Sequence, residues 1–114
     1  MPQRYYLNVE DLTRARGQIS ELSFHGDSPE AFASALQAAL RESLLWQRWL
    51  AMQPDPDAVD ASMGATDTAA TVTARASDMH TEVVVTTALR HVILKHRLTL
   101  LIGAHWTLRD VKSA

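Results

Sequence analysis

Histidines and aspartates are the residues of this chain best suited to metal binding or acid–base chemistry. His91 and His96 are five residues apart, whereas two ligands on one helix face need a spacing of three or four. His25, His80 and His105 lie far from each other, near the ends of predicted strands. The spacing favours scattered histidines over a metal centre, and we expect no metal or other cofactor.

A second candidate is the group of aspartates at Asp55, Asp57 and Asp60, followed by Asp67. Their carboxylates are hard oxygen ligands, but the glycine and closing glutamate positions of an EF-hand calcium loop are missing. We interpret residues 54–69 as a long irregular loop in which the aspartates cap turns and helices. A divalent-cation site in this loop stays open as the alternative.

Catalytic motifs are not recognisable in the sequence. The chain has no cysteine, and Ser43 and Ser62 lack the flanking glycines of a nucleophile elbow. Four glycines are too few, and too scattered, for a phosphate-binding loop or a dinucleotide fingerprint. The sequence therefore favours a protein without catalytic activity, although it leaves an enzyme open.

Length and composition place the chain among globular proteins. Its 114 residues are 46% hydrophobic and 21% charged, which predicts one domain over residues 1–114. The apolar run at Leu98–Ile102 is too short to span a bilayer, and the N-terminus lacks an apolar signal-peptide core. These features predict a cytoplasmic protein that does not enter the membrane. Nine arginines against two lysines are typical of a GC-rich bacterial genome.

Partners are also constrained by charge. The net charge is −2, and the chain has neither a clustered basic stripe nor an aromatic stacking motif. Nucleic acid is therefore a poor fit as a partner. The cationic side chains of the last predicted helix, Arg90, Lys95 and Arg97, are expected to face solvent.

The longest helical pattern runs from Ser28 to Gln53 and would organise the core. Ser28 is a good N-cap, and Pro29 suits the first helical position. Pro54 ends the pattern, because proline disfavours helix at the preceding residue. The main apolar face of this predicted helix contains Phe32, Ala35, Leu36, Ala39, Leu40, Trp46 and Leu50.

A second apolar stripe lies beside that face, formed by Ala31, Ala38, Leu45 and Trp49. It is either additional core or the surface on which a second helix packs, most simply the same helix of a second subunit. We expect Trp49 at such an interface, whereas Trp46 and Trp106 suit the core.

Alternating and helical patterns along the chain predict the remaining elements. Strands are expected at residues 4–10 and 18–25, forming one hairpin, and at residues 70–76 and 79–87, forming another. A helix across residues 81–96 competes with the last of these strands. A helix follows at residues 88–102, of which 97–102 is alternatively a strand, and a short strand covers residues 105–111.

This order, ββαββα plus a short C-terminal strand, predicts an α+β fold. Its sheet would be mainly antiparallel, with two helices packed on one face. The leading functional hypothesis is a non-catalytic protein–protein interaction module that self-associates as a dimer or binds another protein. The alternative is a small-ligand-binding domain or enzyme, with a pocket between sheet and helices gated by residues 54–69.

Overall fold

The structure, a computed structural model, describes residues 2–114. These residues form four strands and three α-helices. They are β1 (Gln3–Val9), α1 (Pro29–Arg41), α2 (Leu44–Ala51), β2 (Thr71–Ser77), β3 (His80–Thr87), α3 (His91–Ile102) and β4 (Thr107–Ser113). Two short 3₁₀ turns, Pro56–Ala58 and Ala61–Gly64, lie between α2 and β2.

The four strands form one antiparallel sheet in the order β2-β3-β1-β4. Strand β1 is central, because Tyr5 lies opposite Val85 of β3 on one side and Val111 of β4 on the other. With α1 and α2 taken together, the order along the chain is βαββαβ, the split βαβ arrangement. The predicted α+β class with a mainly antiparallel sheet is confirmed.

The core lies between one face of the sheet and the helices. Side chains alternate along β1 and β3, so that every second residue is buried. The buried members of the sheet and of α1 and α3 form one apolar cluster, which includes Leu7, Val9, Val83, Val85, Phe32, Leu36, Leu40, Leu94 and Leu98. The side chains of β4 are exposed along the strand, at the edge of the sheet.

Residues 70–87 form the hairpin that the sequence predicts. Ser77 pairs with His80 across a two-residue turn, and Asp78 takes a positive φ of 49°. Aspartate tolerates this left-handed conformation better than most side chains. The prediction of a β-branched strand rather than a helix over residues 83–87 is confirmed.

The predicted strand at residues 18–25 is wrong. This segment forms turns, in which the N–H groups of Leu22 and Ser23 bond to the carbonyl of Ile19. Leu22 and Phe24 are buried as the alternation implies, but the N–H of Phe24 bonds to the carbonyl of Leu101 in α3, at 2.8 Å. Both edges of β1 are occupied by β3 and β4, so the segment has no place beside it in the sheet.

The single helix predicted over residues 28–53 is also wrong, because the chain breaks between α1 and α2 at Glu42 and Ser43. A continuous helix would use the carbonyls of Ala39 and Leu40 to bond the N–H groups four residues later. Those two carbonyls instead accept bonds from the Arg97 Nε, at 3.4 Å, and from the Asp67 N–H, at 2.8 Å. Tertiary bonds therefore replace the helical ones at the break.

The C-terminal helix is continuous, and residues 97–102 belong to it rather than to a strand. It ends at Gly103, whose φ of 63° suits glycine. Among residues 2–114, no helix is long and apolar enough to cross a membrane.

Candidate functional site

A pocket of about 500 Å³ opens between α2, α3 and the two turns at residues 18–19 and 103–106. Aromatic and aliphatic side chains supply much of its wall, and a few polar groups interrupt them. The lining residues are Gln18, Ile19, Trp49, Lys95, His96, Thr99, Leu100, Gly103, Ala104 and Trp106. Its size lies within the range of about 300–1,000 Å³ typical of small-molecule sites.

Three aromatic rings meet where α2 packs on α3, and two of them, Trp49 and His96, line the pocket. The rings of Trp46 and Trp49 lie 5.1 Å apart, on successive residues of one helix face. The His96 ring meets both edge to face, at 4.6 Å from Trp49 and 5.7 Å from Trp46. Such edge-to-face packing is favourable and directional, so α2 and α3 hold these rings in a defined arrangement.

Behind His96 lies Arg97, which the sequence places on the solvent side of the helix. That prediction is wrong, because Arg97 is 0% exposed. Its Nε and Nη2 donate to the carbonyls of Ala39 and Ala65, at 3.4 and 3.2 Å, and its guanidinium lies 5.3 Å from the Trp46 ring. A cation at the C-terminal end of α1 is favoured by the helix dipole.

Among the residues that the structure describes, the charge of Arg97 has no nearby counter-ion. Within residues 2–114 no carboxylate lies at ion-pair distance from it. Burial lowers the pKa of Arg97, but an arginine starts high enough to remain protonated at neutral pH. The interior beside the pocket therefore holds a positive charge that no carboxylate of residues 2–114 neutralises by an ion pair.

The surroundings of His96 favour its neutral form. Burial lowers the pKa of His96, and the positive charge of Arg97 lowers it further. Arg97 Nη1 lies 3.3 Å from His96 Nδ1, and because a guanidinium only donates, Nδ1 is the acceptor. The ring proton then lies on Nε2, so His96 offers one N–H donor.

The other side of the pocket comes from the segment before α1. The Gly17 N–H donates to Ser23 Oγ at 2.8 Å, and a Cβ at Gly17 would overlap the Leu100 carbonyl oxygen. This close approach of two backbones places Gln18 and Ile19 against α3. The pocket therefore joins three parts of the chain that are distant in sequence.

The four residues of the predicted interface stripe do not form one surface. Trp49 is half-buried and lines the pocket, whereas Ala38 and Leu45 line a separate groove of about 210 Å³. Ala31 is exposed in the first turn of α1 and lines neither. The break at the end of α1 rotates α2 relative to α1, which divides the stripe.

The groove has a feature that the sequence analysis missed. Leu44, at the start of α2, is 64% exposed and lies on the groove wall beside Ala38 and Leu45. A helix-period count over an unbroken helix places Leu44 outside the stripe, so the pattern carries no signal for it.

Two aspartates of residues 54–69 accept hydrogen bonds, Asp60 within the loop and Asp67 also from the end of β3. Asp67 accepts bonds from the Ala88 N–H, the Thr87 hydroxyl and the Ala69 N–H, and these bonds lower its pKa. Asp55 and Asp57 are exposed. Over residues 2–114 no three histidine or acidic side chains come together as a metal site would require. Residues 54–69 also stay outside the lining of the pocket.

The histidines other than His96 occupy unrelated places. His91 stacks on Tyr5 at 6.0 Å, and His80 lies 3.8 Å from a carboxylate oxygen of Glu82. His25 bonds to the Ser20 carbonyl, and His105 is exposed.

The sequence does not predict this pocket, because its lining residues are distant along the chain. Trp49, His96 and Trp106 come together only because α2 turns at the break and packs on α3. The sequence offers no clear signal for the burial of Arg97, because it follows Lys95 and His96 directly in a polar stretch before the run Leu98–Ile102.

Comparison of the chain with protein-family models, with curated proteins and with solved structures gave no match.

Proposed function

We propose that this protein binds a small organic molecule in the pocket beside α3, without chemical turnover. The observation that carries the proposal is the pocket itself. Two tryptophans, Trp49 and Trp106, line it together with the neutral donor His96 and the cation Lys95. Apolar walls with a few placed polar groups are the usual composition of a ligand site. Its location differs from the expected one between sheet and helices.

In the part of the lining that the structure describes, no side chain is an activated nucleophile, which supports binding rather than catalysis. Thr99 is the one hydroxyl residue of the described lining, and its Oγ1 donates to the Lys95 carbonyl at 2.8 Å. His96 uses Nδ1 to accept from Arg97, so that nitrogen is not available as a base.

Isothermal titration calorimetry with naphthalene derivatives as probes tests this proposal. The variant Trp106→Ala removes one wall, and we expect it to weaken binding roughly tenfold, which is about 1.4 kcal/mol of aromatic contact. The control is Met79→Ala, because Met79 is 87% exposed at the hairpin turn. Absence of binding to the wild type, or equal binding by Trp106→Ala, would overturn the proposal.

A second proposal is self-association as a homodimer, supported by the exposure of Leu44. Leu44 is large, apolar and adjacent to a groove walled by Ala38 and Leu45. In a symmetric dimer, each Leu44 would enter the groove of the other copy, so one patch serves both sides. Trp49 and Ala31, which the sequence assigns to the interface, lie outside this groove.

Size exclusion with light scattering at low and high salt tests the dimer. We expect the dimer to survive high salt, because salt does not screen an apolar contact. Leu44→Ser should convert the dimer to a monomer. Met79→Ser is the matched control, since it removes an exposed side chain elsewhere. A monomer at every concentration, or a dimer unaffected by Leu44→Ser, would refute this proposal.

The setting that we propose is the bacterial cytoplasm. It is supported by the arginine-rich composition and by the lack of cysteine in the sequence.

A further inference from the structure

We propose that the ligand of the pocket is an aromatic monoanion, such as an aromatic carboxylate, whose negative group lies against Lys95. This inference rests on the proposed ligand-binding function of the same pocket. It adds the chemical class of the ligand, which the volume of the pocket alone does not specify.

The aromatic part follows from the walls. Trp49 and Trp106 present two indole rings to the same space, and Ile19 and Leu100 add aliphatic surface. Flat apolar rings gain both from burial and from offset or edge-to-face contact with indole rings. The fixed ring arrangement around Trp49 suits a rigid planar ligand better than a flexible chain, which would lose more conformational freedom on binding.

The negative charge follows from the polar groups. The ammonium group of Lys95 forms no ion pair with any residue in the range 2–114. His96 and Gln18 also belong to the lining, and both side chains carry N–H donors. The part of the lining that the structure describes includes no aspartate or glutamate.

Arg97 strengthens the preference for an anion, although it does not line the pocket itself and instead contacts His96, which does. Its guanidinium is buried, lies 3.3 Å from the His96 ring and has no carboxylate partner within the described chain. Charges in a poorly solvated environment interact over longer distances than charges in water. A cationic ligand would therefore be repelled by two positive charges, whereas an anion would be stabilised by both.

The experiment compares three probes with the same ring system and different charge. Naphthoate is anionic, naphthalenemethanol is neutral and naphthalenemethylamine is cationic. Each is titrated calorimetrically into the full chain at neutral pH. We expect naphthoate to bind roughly tenfold more tightly than the alcohol, and the amine to bind most weakly.

Variants of the two lysines locate the effect. Lys95→Met should weaken naphthoate binding roughly tenfold and leave the alcohol unchanged. Lys112→Met is the matched control, because it removes the other lysine of the chain, which lies on β4 near Tyr6. Both lysines are exposed, so both variants should have the same melting temperature as the wild type. Higher salt should weaken naphthoate binding and not alcohol binding.

The outcomes separate the two proposals. If the alcohol or the amine binds as tightly as naphthoate, and Trp106→Ala weakens that binding, the pocket binds ligands but the anionic class is wrong. The class is also wrong if Lys95→Met and Lys112→Met bind naphthoate equally. If none of the three probes binds, the proposed function fails and this inference fails with it.

Discussion

Two connections of equal length, residues 10–28 and 52–70, join the helices to the strands and are held by different forces. The first connection, residues 10–28, buries apolar side chains, namely Leu12, Ala15, Leu22 and Phe24. The second connection, residues 52–70, buries Ala70 alone among its apolar side chains. Hydrogen bonds to carboxylates and carbonyls hold it instead. Two irregular segments of one protein thus reach a fixed position by burial in one case and by polar bonding in the other.

The first connection adds a small layer to the core. The Phe24 ring packs edge to face on Phe32 of α1, at 5.4 Å. The guanidinium of Arg16 lies over the Phe24 ring, 5.7 Å from its centre. Arg16 also donates to the carbonyls of Leu12 and Gly26, which ties the two ends of the connection together. The buried apolar contacts of the first connection therefore fix the turn that supplies Gln18 and Ile19 to the pocket.

The second connection is tied by Asp67 and by Arg97. Asp67 bonds the start of β2 to the end of β3, through Thr87 and Ala88. Arg97 donates to the Ala65 carbonyl. A segment with few apolar side chains to bury can still be ordered, provided that charged groups accept or donate several bonds each. In the first connection, Asp11 also has a lowered pKa, because of its hydrogen bond from Thr13, but its carboxylate is exposed. The comparison therefore predicts that acid will loosen the second connection more than the first.

The largest expected effect is in the first connection. Phe24→Ala should lower the free energy of unfolding by about 3–5 kcal/mol, because it removes a buried ring and leaves a cavity against Phe32. Urea unfolding at neutral pH measures it. Phe24→Leu, which keeps much of the volume, should cost less than half as much. A loss below about 1 kcal/mol for Phe24→Ala would mean that the first connection is not part of the core.

Glycine substitutions compare the two connections directly. A Cβ at Gly17 would overlap the backbone of Leu100, whereas a Cβ at Gly64 would overlap the Trp46 side chain. A backbone cannot move aside as a side chain can, so Gly17→Ala should cost about 3 kcal/mol and Gly64→Ala about 1–2 kcal/mol. Thermal and urea unfolding of the two variants give the order. If Gly64→Ala cost more stability than Gly17→Ala, the first connection would not be packed rigidly against α3.

In the second connection, Asp67→Ala should lower stability by about 2–3 kcal/mol, since it leaves the Ala88 N–H and the Thr87 hydroxyl without their charged acceptor. Asp57→Ala is the matched control, because Asp57 is exposed in the same connection, and it should change stability by no more than about 0.5 kcal/mol. Equal effects of the two substitutions would show that Asp67 has no special role.

The smallest effect is the pH dependence. The pKa of Asp67 is depressed in the folded protein by its hydrogen bonds, so its stabilising effect is complete above the unfolded value of about 3.9. This stabilisation is lost as the pH falls through the folded pKa. The stability of the wild type should therefore fall more steeply below about pH 4 than that of Asp67→Asn. The pH dependence of the stability of Phe24→Ala should run parallel to that of the wild type. If the curve of Asp67→Asn were also parallel, Asp67 would not be the source of the pH dependence.

Local patterns predicted those elements whose signals lie within a few residues. The alternation of Tyr5 and Leu7, and the β-branched run ending at Thr87, correctly predicted β1 and β3. Ser28 caps α1 as expected, accepting from the Ala31 N–H at 3.0 Å. These signals work because propensity and alternation depend on neighbouring residues.

The sequence by itself determined the fold class, the β2–β3 hairpin and the start of α1 and the end of α3. The tertiary structure decided three other features. It broke the long helix, because the carbonyls of Ala39 and Leu40 accept hydrogen bonds from Arg97 and Asp67. It turned Arg97 inward, and it assembled the pocket from residues as distant as Gln18 and Trp106. Each depends on groups far apart in the chain competing for one partner or one space, and such competition leaves no periodic trace in the sequence.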